Sequence, residues 1–588
     1  MRGILFLDQG ESKLNLLIIS TLLLSIGSLF ISQMEFSRNI FLVLSNILDF
    51  LILGFLITEV VLEFRLSVYK TIYIRKNIFS LLFVAVFVSL FFYNKALLFT
   101  SLNFEDSGTA LLILIIRNIF LLLKVLSRFK RLRTILESIH VHPAQTIFMS
   151  FLLVILGGAL LLMMPFTAAE GNGLPFLNAL FTSTSAVCVT GLIVVDTATY
   201  FSIWGQAIIL ILIQIGGLGI MILSYFTVFV LRRAMSVEDK VLISYMLSDD
   251  DMSSISKTMK SIVGITFLIE GVGALILFAG FVKNTTLSTG SLFFYSIFHS
   301  ISAFCNAGFA LFSDSLEGFS SSLLLSGGIA LLIITGGISF SVITNLHSVI
   351  SVKLGKRDRE TLGGQSRITL NTKIVLSFSA ILLISGTLLF YALEHGGTLK
   401  NMNMGNQYLT AFFQSVTLRT AGFNTVNFGS LAPSMLVVMM IYMFIGAASG
   451  STAGGIKVNT VAVLGSAVRS AWKNEKDVVL LKQAIPSELV LKSFMILLFG
   501  VVAISIGTFL LAISENAPLE NIMFEVVSAF GTVGLSTGLT SGLSSFGRFI
   551  IIILMFIGRL GPLTVLAAAS TVSKRLNVTY PRADISIG

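Results

Sequence analysis

A chain of 588 residues that is 55% hydrophobic and only 12% charged lies far from the roughly 25% charge of soluble domains, and reads as an all-α polytopic membrane protein. Two cysteines, Cys188 and Cys305, cannot make a disulfide framework, five scattered histidines do not suggest a metal cage, and His140 and His142 read as a solvated helix end. There is no catalytic constellation, no cofactor is expected in this chain, and the net charge of +10 needs no nucleic acid to explain it.

Residues 1–138 contain about four apolar segments, near 14–32, 40–62, 78–97 and 109–127. Lys13 precedes the first, but no small-residue cleavage site follows it, so it is expected to stay in the membrane. The last runs IIRNIFLLLKVLSRFKRLR and places Arg117, Lys124, Arg128 and Arg131 on one helical face. With Asp49 and Glu59 in an earlier span, this front end has the form of a degenerate voltage-sensor module. An accessory bundle ending in a cytoplasmic basic cluster is the reading preferred over voltage sensing.

Beyond residue 138 one pattern recurs four times: a phenylalanine, ten residues later a glycine, then a large apolar residue. The copies are FTSTSAVCVTGL from Phe181, FHSISAFCNAGF from Phe298, FFQSVTLRTAGF from Phe412 and FEVVSAFGTVGL from Phe524. Ser185, Ser302 and Ser528 share one register and Ala186, Ala303 and Ala529 the next, whereas the third copy has Val416 and Thr417. The glycines Gly191, Gly308, Gly422 and Gly534 are 117, 114 and 112 residues apart, which implies duplicated units rather than a solenoid. Apolar segments flank each motif, such as Phe151 to Met164 and Ile208 to Val230 in the first copy and Met495 to Ile513 and Phe549 to Ala569 in the last. The reading is therefore four helix, pore-loop, helix repeats, residues 139–245, 246–355, 356–475 and 476–588, around a pseudo-fourfold pore.

Charge orients them. Arg232, Arg233, Lys240, Lys257 and Lys260 join copies one and two, and Lys353, Lys356, Arg357, Arg359, Arg367 and Lys373 join two and three. Arg469, Lys473, Lys476, Lys482 and Lys492 join three and four, and Lys574, Arg575 and Arg582 lie in the tail. These connections are expected on the cytoplasmic side. The segments bearing the motifs carry the acids Glu170, Asp196, Asp314, Glu317, Glu515 and Glu520 and face outward.

Non-helical backbone at membrane depth must be buried in protein or line water. The short helices are expected to bond their Ser and Thr side chains to backbone or neighbours. The residues that follow would turn carbonyl oxygens to a central path, where they replace the water around an alkali cation. The expected selectivity filter is Val189, Thr190 and Gly191; Asn306, Ala307 and Gly308; Thr420, Ala421 and Gly422; and Thr532, Val533 and Gly534, holding an alkali cation through backbone carbonyls. Glycine suits a backbone turned this way.

The four motifs resemble the pore loops of the Trk/Ktr/HKT superfamily of K+ uptake proteins over residues 140 to 575. The resemblance implies a K+-selective filter with four glycines, a homodimer with one pore per subunit, and a location in the bacterial inner membrane. It also implies a separate cytosolic nucleotide-binding regulatory ring. GAASGSTAGGIKV, Gly446 to Val458, fails as a phosphate loop because Ile456 rather than Gly precedes Lys457. It resembles the family's intramembrane gating loop, which makes Gly446, Gly450, Ser451, Thr452, Gly454, Gly455 and Lys457 gate candidates. Arg559, an ionisable residue within a span, is a functional candidate by position, and in the family the matching arginine lies near that loop. Glu525 and Arg419, placed on the short helices, are expected to brace the filter through bonded partners.

The primary expectation is channel-like K+ uptake. The alternatives are a Na+- or H+-coupled secondary transporter, whose signature would be inverted repeats, and a voltage-gated cation channel that depends on the front end.

Overall fold

The computed structural model describes residues 143–219, 255–355 and 367–561, with positions 564, 565 and eight isolated helical positions between 51 and 70. The chain divides into two compact units, Met1–Val141 and His142–Gly588. The voltage-sensor reading of Arg117, Lys124, Arg128, Arg131, Asp49 and Glu59 lies outside the described residues, as do the cations at 232, 233, 240, 356, 357 and 359 and those of the tail.

The second unit is helical. Its elements are α1 (Pro143–Leu162), α2 (Phe176–Val187), α3 (Ile203–Leu218), α4 (Ile255–Asn284), α5 (Thr289–Phe304), α6 (Leu323–Gly337), α7 (Phe340–Lys353), α8 (Leu370–Glu394), α9 (Met404–Thr417), α10 (Pro433–Phe444) and α11 (Val458–Trp472). A small antiparallel pair, β1 (Val478–Leu480) and β2 (Gln483–Ile485), precedes α12 (Ser487–Ser514), α13 (Leu519–Gly531), α14 (Leu539–Gly542) and α15 (Ser545–Leu560). A helix, a short helix and a second helix thus succeed one another four times.

Local chemistry sets the helix starts. Ser202, Ser288, Ser322, Thr369 and Ser544 cap α3, α5, α6, α8 and α15 by accepting a backbone N–H three residues on. Pro433 opens α10, where its missing N–H costs nothing. Ser261–Asn284, Leu370–Glu394 and Ser487–Ser514 are each long and apolar enough to cross a membrane. Leu268, Leu275, Phe509 and Ile513 on the first and third of these are about two-thirds exposed, the apolar belt a bilayer would cover. The protein is a multi-pass membrane protein.

All four second helices end at a break in the chain. Gly219 ends α3 and Gly561 ends α15, both with positive φ. The chain bends by 95° between α6 and α7, and α10 ends at Phe444 before a loop. Only the third of these breaks was anticipated. Ile208 to Val230 was read as one span, but Gly219 takes φ 78°, which right-handed helix forbids.

Small residues bring the layers into contact. Gly158, Gly273 and Gly386, on the first helices of three copies, lie against the hydroxyls of Ser183, Ser300 and Ser415 on the short helices, and in the fourth copy Gly507 faces Val526. Each serine hydroxyl donates across that contact: Ser183 to the Ile155 carbonyl at 2.7 Å, Ser300 to Glu270 at 2.6 Å and Ser415 to Leu383 at 2.9 Å.

The Glu270 side chain is buried and accepts from Gln214 Nε2 at 3.1 Å on one oxygen and 3.3 Å on the other, which ties α4 to α3. Glu270→Gln keeps an acceptor for Gln214 and should change unfolding free energy by less than about 1 kcal/mol. Glu270→Leu strands the Gln214 amide and should cost about 1–3 kcal/mol. Thermal midpoints in detergent would check both.

Candidate functional site

The four glycine motifs share one backbone. Val189, Asn306, Thr420 and Thr532, each two residues before its glycine, have φ of 57°, 60°, 67° and 49°, and the glycines have φ of 94°, 70°, 80° and 89°. Left-handed residues separated by one outside that region keep successive peptide groups turned the same way. The N–H of each middle residue points back to its own short helix: Thr190 to Ser185 O at 2.8 Å, Ala307 to Ser302 O at 2.7 Å, Ala421 to Thr417 O at 3.0 Å and Val533 to Ser528 O at 2.8 Å. With the N–H groups committed there, the carbonyls turn away from the helix.

The glycines close a ring. A Cβ on Gly191 would lie 2.5 Å from Ala307 O, one on Gly308 2.8 Å from Ala421 O, and one on Gly422 2.6 Å from Val533 O; one on Gly534 would overlap Thr190 O. Each copy abuts the next, and the fourth returns to the first. The short helices end at this ring, so their carbonyl ends add negative potential there.

Hydroxyls of the short helices hold the turns. Ser185 Oγ accepts from Gly191 N at 3.0 Å, Ser302 Oγ donates to Phe309 O at 2.8 Å, and Thr417 Oγ1 donates to Phe423 O at 2.6 Å. Of the five hydroxyls around the first motif, those of Thr182 and Thr190 have no protein partner, so the expectation that all would be bonded holds only in part. The third copy also departs from the expected register. Phe181, Phe298 and Phe524 are fully buried, but in the third copy Phe413 is buried and Phe412 is not. With Thr417 replacing the serine of the other copies, the stretch from that hydroxyl to the glycine is one residue shorter. The sequence carried the signal in Val416 and Thr417, and the repeated spacing of ten masked it.

Glu525 is buried and collects donors only from its own copy: Ser536 Oγ at 2.6 Å, Thr537 N at 2.9 Å and Thr540 Oγ1 at 2.6 Å. Glu525→Gln turns an amide NH2 toward some of these donors and should lower stability by about 2 kcal/mol, read as a lower thermal midpoint in detergent. Arg419 lies two residues past the end of α9 rather than on it. Its Nη2 donates to Ser379 Oγ at 2.8 Å, and its Nε has no protein partner.

The outer segments are stitched from copy to copy. Ser313 Oγ donates to Asp196 at 2.5 Å, Leu316 N donates to Asn424 O at 3.0 Å, the rings of Phe428 and Phe524 lie 6.3 Å apart, and Arg548 Nη1 donates to Asn178 at 2.7 Å. Glu317 accepts from Asn424 Nδ2 at 2.9 Å. Partial burial, then the neighbouring Asp314, raise its carboxyl above the usual range, and that hydrogen bond offsets them in part.

Residues 445–457 form a folded-back loop between α10 and α11. Its neck is a parallel bridge of Ile445 with Ile456, with Gly446 N donating to Ile456 O at 2.8 Å and Val458 N to Ala447 O at 3.1 Å. Gly450 and Gly455 take φ of 74° and 66°. The tip reaches other copies: Thr452 Oγ1 donates to Gly336 O at 3.0 Å and Phe304 O at 3.3 Å, and Gly454 lies against the Thr532 hydroxyl. Ser451 Oγ donates to Ala448 O at 2.8 Å, and Lys457 Nζ to Ala453 O at 2.6 Å and Gly454 O at 3.2 Å. Arg559 donates through Nη1 to Thr452 O and through Nη2 to Gly216 O. The loop candidates and Arg559 therefore meet directly beside the short-helix ends, with no acidic partner for Arg559 among the described residues.

The sequence profile of TrkH, described as a cation transport protein, matches residues 113–577. The chain is similar to the Ktr system potassium uptake protein B of Vibrio alginolyticus, 39% identical over 75% of this chain and 94% of the relative. It is 36% identical to the protein of the same name from Bacillus subtilis, over 77% and 98%, and 36% identical to the potassium/sodium uptake protein NtpJ of Enterococcus hirae, over 76% and 97%. The crystal structure of the potassium transporter TrkH from Vibrio parahaemolyticus has the same fold, with a TM-score of 0.61 at 18% identity over 84% of this chain and 97% of that one.

Proposed function

The chain belongs to the TrkH family of cation transport proteins, and we propose that it takes K+ into the cell through a channel-like pore. Residues 139–245, 246–355, 356–475 and 476–588 are its four repeats around a pseudo-fourfold axis, and residues 1–138 are an accessory membrane module. The observation that carries this reading is the ring of Gly191, Gly308, Gly422 and Gly534, with a left-handed residue two positions before each. K+ sheds water against the carbonyls of residues 189–191, 306–308, 420–422 and 532–534. It then meets the loop 446–458 and the Arg559 guanidinium, whose charge opposes a cation until the loop moves. An inward-negative potential drives the ion at about 2.3 kcal/mol per charge per 100 mV.

Two relatives are named as parts of a Ktr system. By extension this chain is the plasma-membrane subunit of such a system, working as a homodimer with a cytosolic nucleotide-binding ring. The test is K+ and Na+ flux into proteoliposomes holding the purified chain at several imposed potentials. Selective K+ flux that follows the electrochemical gradient is expected. Flux that requires a second solute would replace the pore with a coupled transporter.

A further inference from the structure

The residue after the buried phenylalanine of each short helix is Thr182, His299, Gln414 or Glu525, once the third copy is read from Phe413. In three of the four this side chain reaches the residue three positions beyond the glycine. Glu525 accepts from Thr537 N at 2.9 Å, Gln414 Nε2 donates to Thr425 Oγ1 at 3.0 Å, and His299 Nε2 accepts from Leu311 N at 3.2 Å. In the first copy the Thr182 hydroxyl has no protein partner. His299 is fully buried, and its Nδ1 lies 2.8 Å from Tyr295 O. An acceptor at Nε2 leaves the proton on Nδ1, which donates to Tyr295, so both ring nitrogens are committed in one neutral tautomer. Phe281, Tyr295, Phe298 and Phe312 surround the ring and hold it in that orientation.

We infer that His299 is the positioning residue that anchors the outer end of the second filter segment, doing with a neutral ring nitrogen what Glu525 does with a carboxylate in the fourth. Leu311 N is buried, and a buried N–H without an acceptor is costly. The segment from Gly308 to Leu311 therefore depends on that nitrogen. This inference rests on the pore reading for its effect on selectivity, but the anchor itself can be read without transport.

The terminal atoms of glutamine overlay Nε2 and those of asparagine overlay Nδ1, so His299→Gln keeps the acceptor for Leu311 and His299→Asn removes it. Hydrogen exchange at the Leu311 amide in the detergent-purified chain, and the K+ over Na+ flux ratio in proteoliposomes, are measured for both. H299Q is expected to match the native chain. H299N is expected to speed exchange, and to lower the flux ratio, by about tenfold. An H299N amide as protected as the native one, or an H299Q amide as exposed as that of H299N, overturns the anchor and leaves His299 as filling for the aromatic cage. Faster exchange with an unchanged flux ratio removes its link to selectivity. Loss of selective K+ flux from the native chain, with the exchange difference intact, overturns the pore reading and not the anchor.

Discussion

Gly191→Ser is expected to lower the K+ over Na+ flux ratio about tenfold, because a side chain at φ 94° costs roughly 1–2 kcal/mol in backbone strain. The new Cβ would also stand 2.5 Å from Ala307 O, a carbonyl of the neighbouring copy. Relief requires either Gly191 to leave its conformation or Ala307 to move, and both displace carbonyls proposed to hold the ion. The effect should fall on selectivity more than on folding, since the change lies beyond the end of α2 and leaves in place the Ser183 bond that packs α2 on α1. Flux ratios in proteoliposomes, with thermal midpoints as a folding control, provide the check. An unchanged ratio would remove Gly191 from the filter.

Removal of Ala448 to Gly454 should raise K+ flux. The deletion leaves Ala447 and Gly455 at a neck already closed by the Ile445–Ile456 bridge and the bonds of Gly446 and Val458, so the helices on either side can stay in place. It takes away the two bonds Thr452 Oγ1 donates to α5 and α6, and one of the two acceptors of Arg559. At about 1 kcal/mol for each bond lost, the arrangement proposed to close the path loses enough to open it about tenfold or more. Reduced flux from a folded protein would refute a gating role for the loop.

The glycines, the hydroxyl-rich short helices, the interrupted segment at 446–458 and Arg559 were all legible because each breaks a local rule of apolar spans: a charge, a flexible residue or a cluster of hydroxyls where none is needed for crossing. The breaks after Leu218, Gly337 and Leu560 were not, because Gly219 and Gly561 stand within apolar runs where glycine is an ordinary packing residue. Reading the third copy from Phe412 failed for a related reason. Adjacent phenylalanines are equivalent to a spacing rule, and which of them is buried is settled by the helix rotation that lets Ser415 reach Leu383 O and Gln414 reach Thr425.

Composition and the fourfold motif by themselves determined that this protein lives in a membrane and which family it belongs to, since these depend on residue type and order along the chain. The tertiary structure alone decided that each glycine abuts the carbonyl of the next copy, that Arg559 bridges Thr452 and Gly216, and that His299, Gln414 and Glu525 occupy one position. Such contacts join residues far apart along the chain, Arg559 and Gly216 being separated by 343 positions. They follow from how the helices pack around one another, which no local pattern of residues encodes.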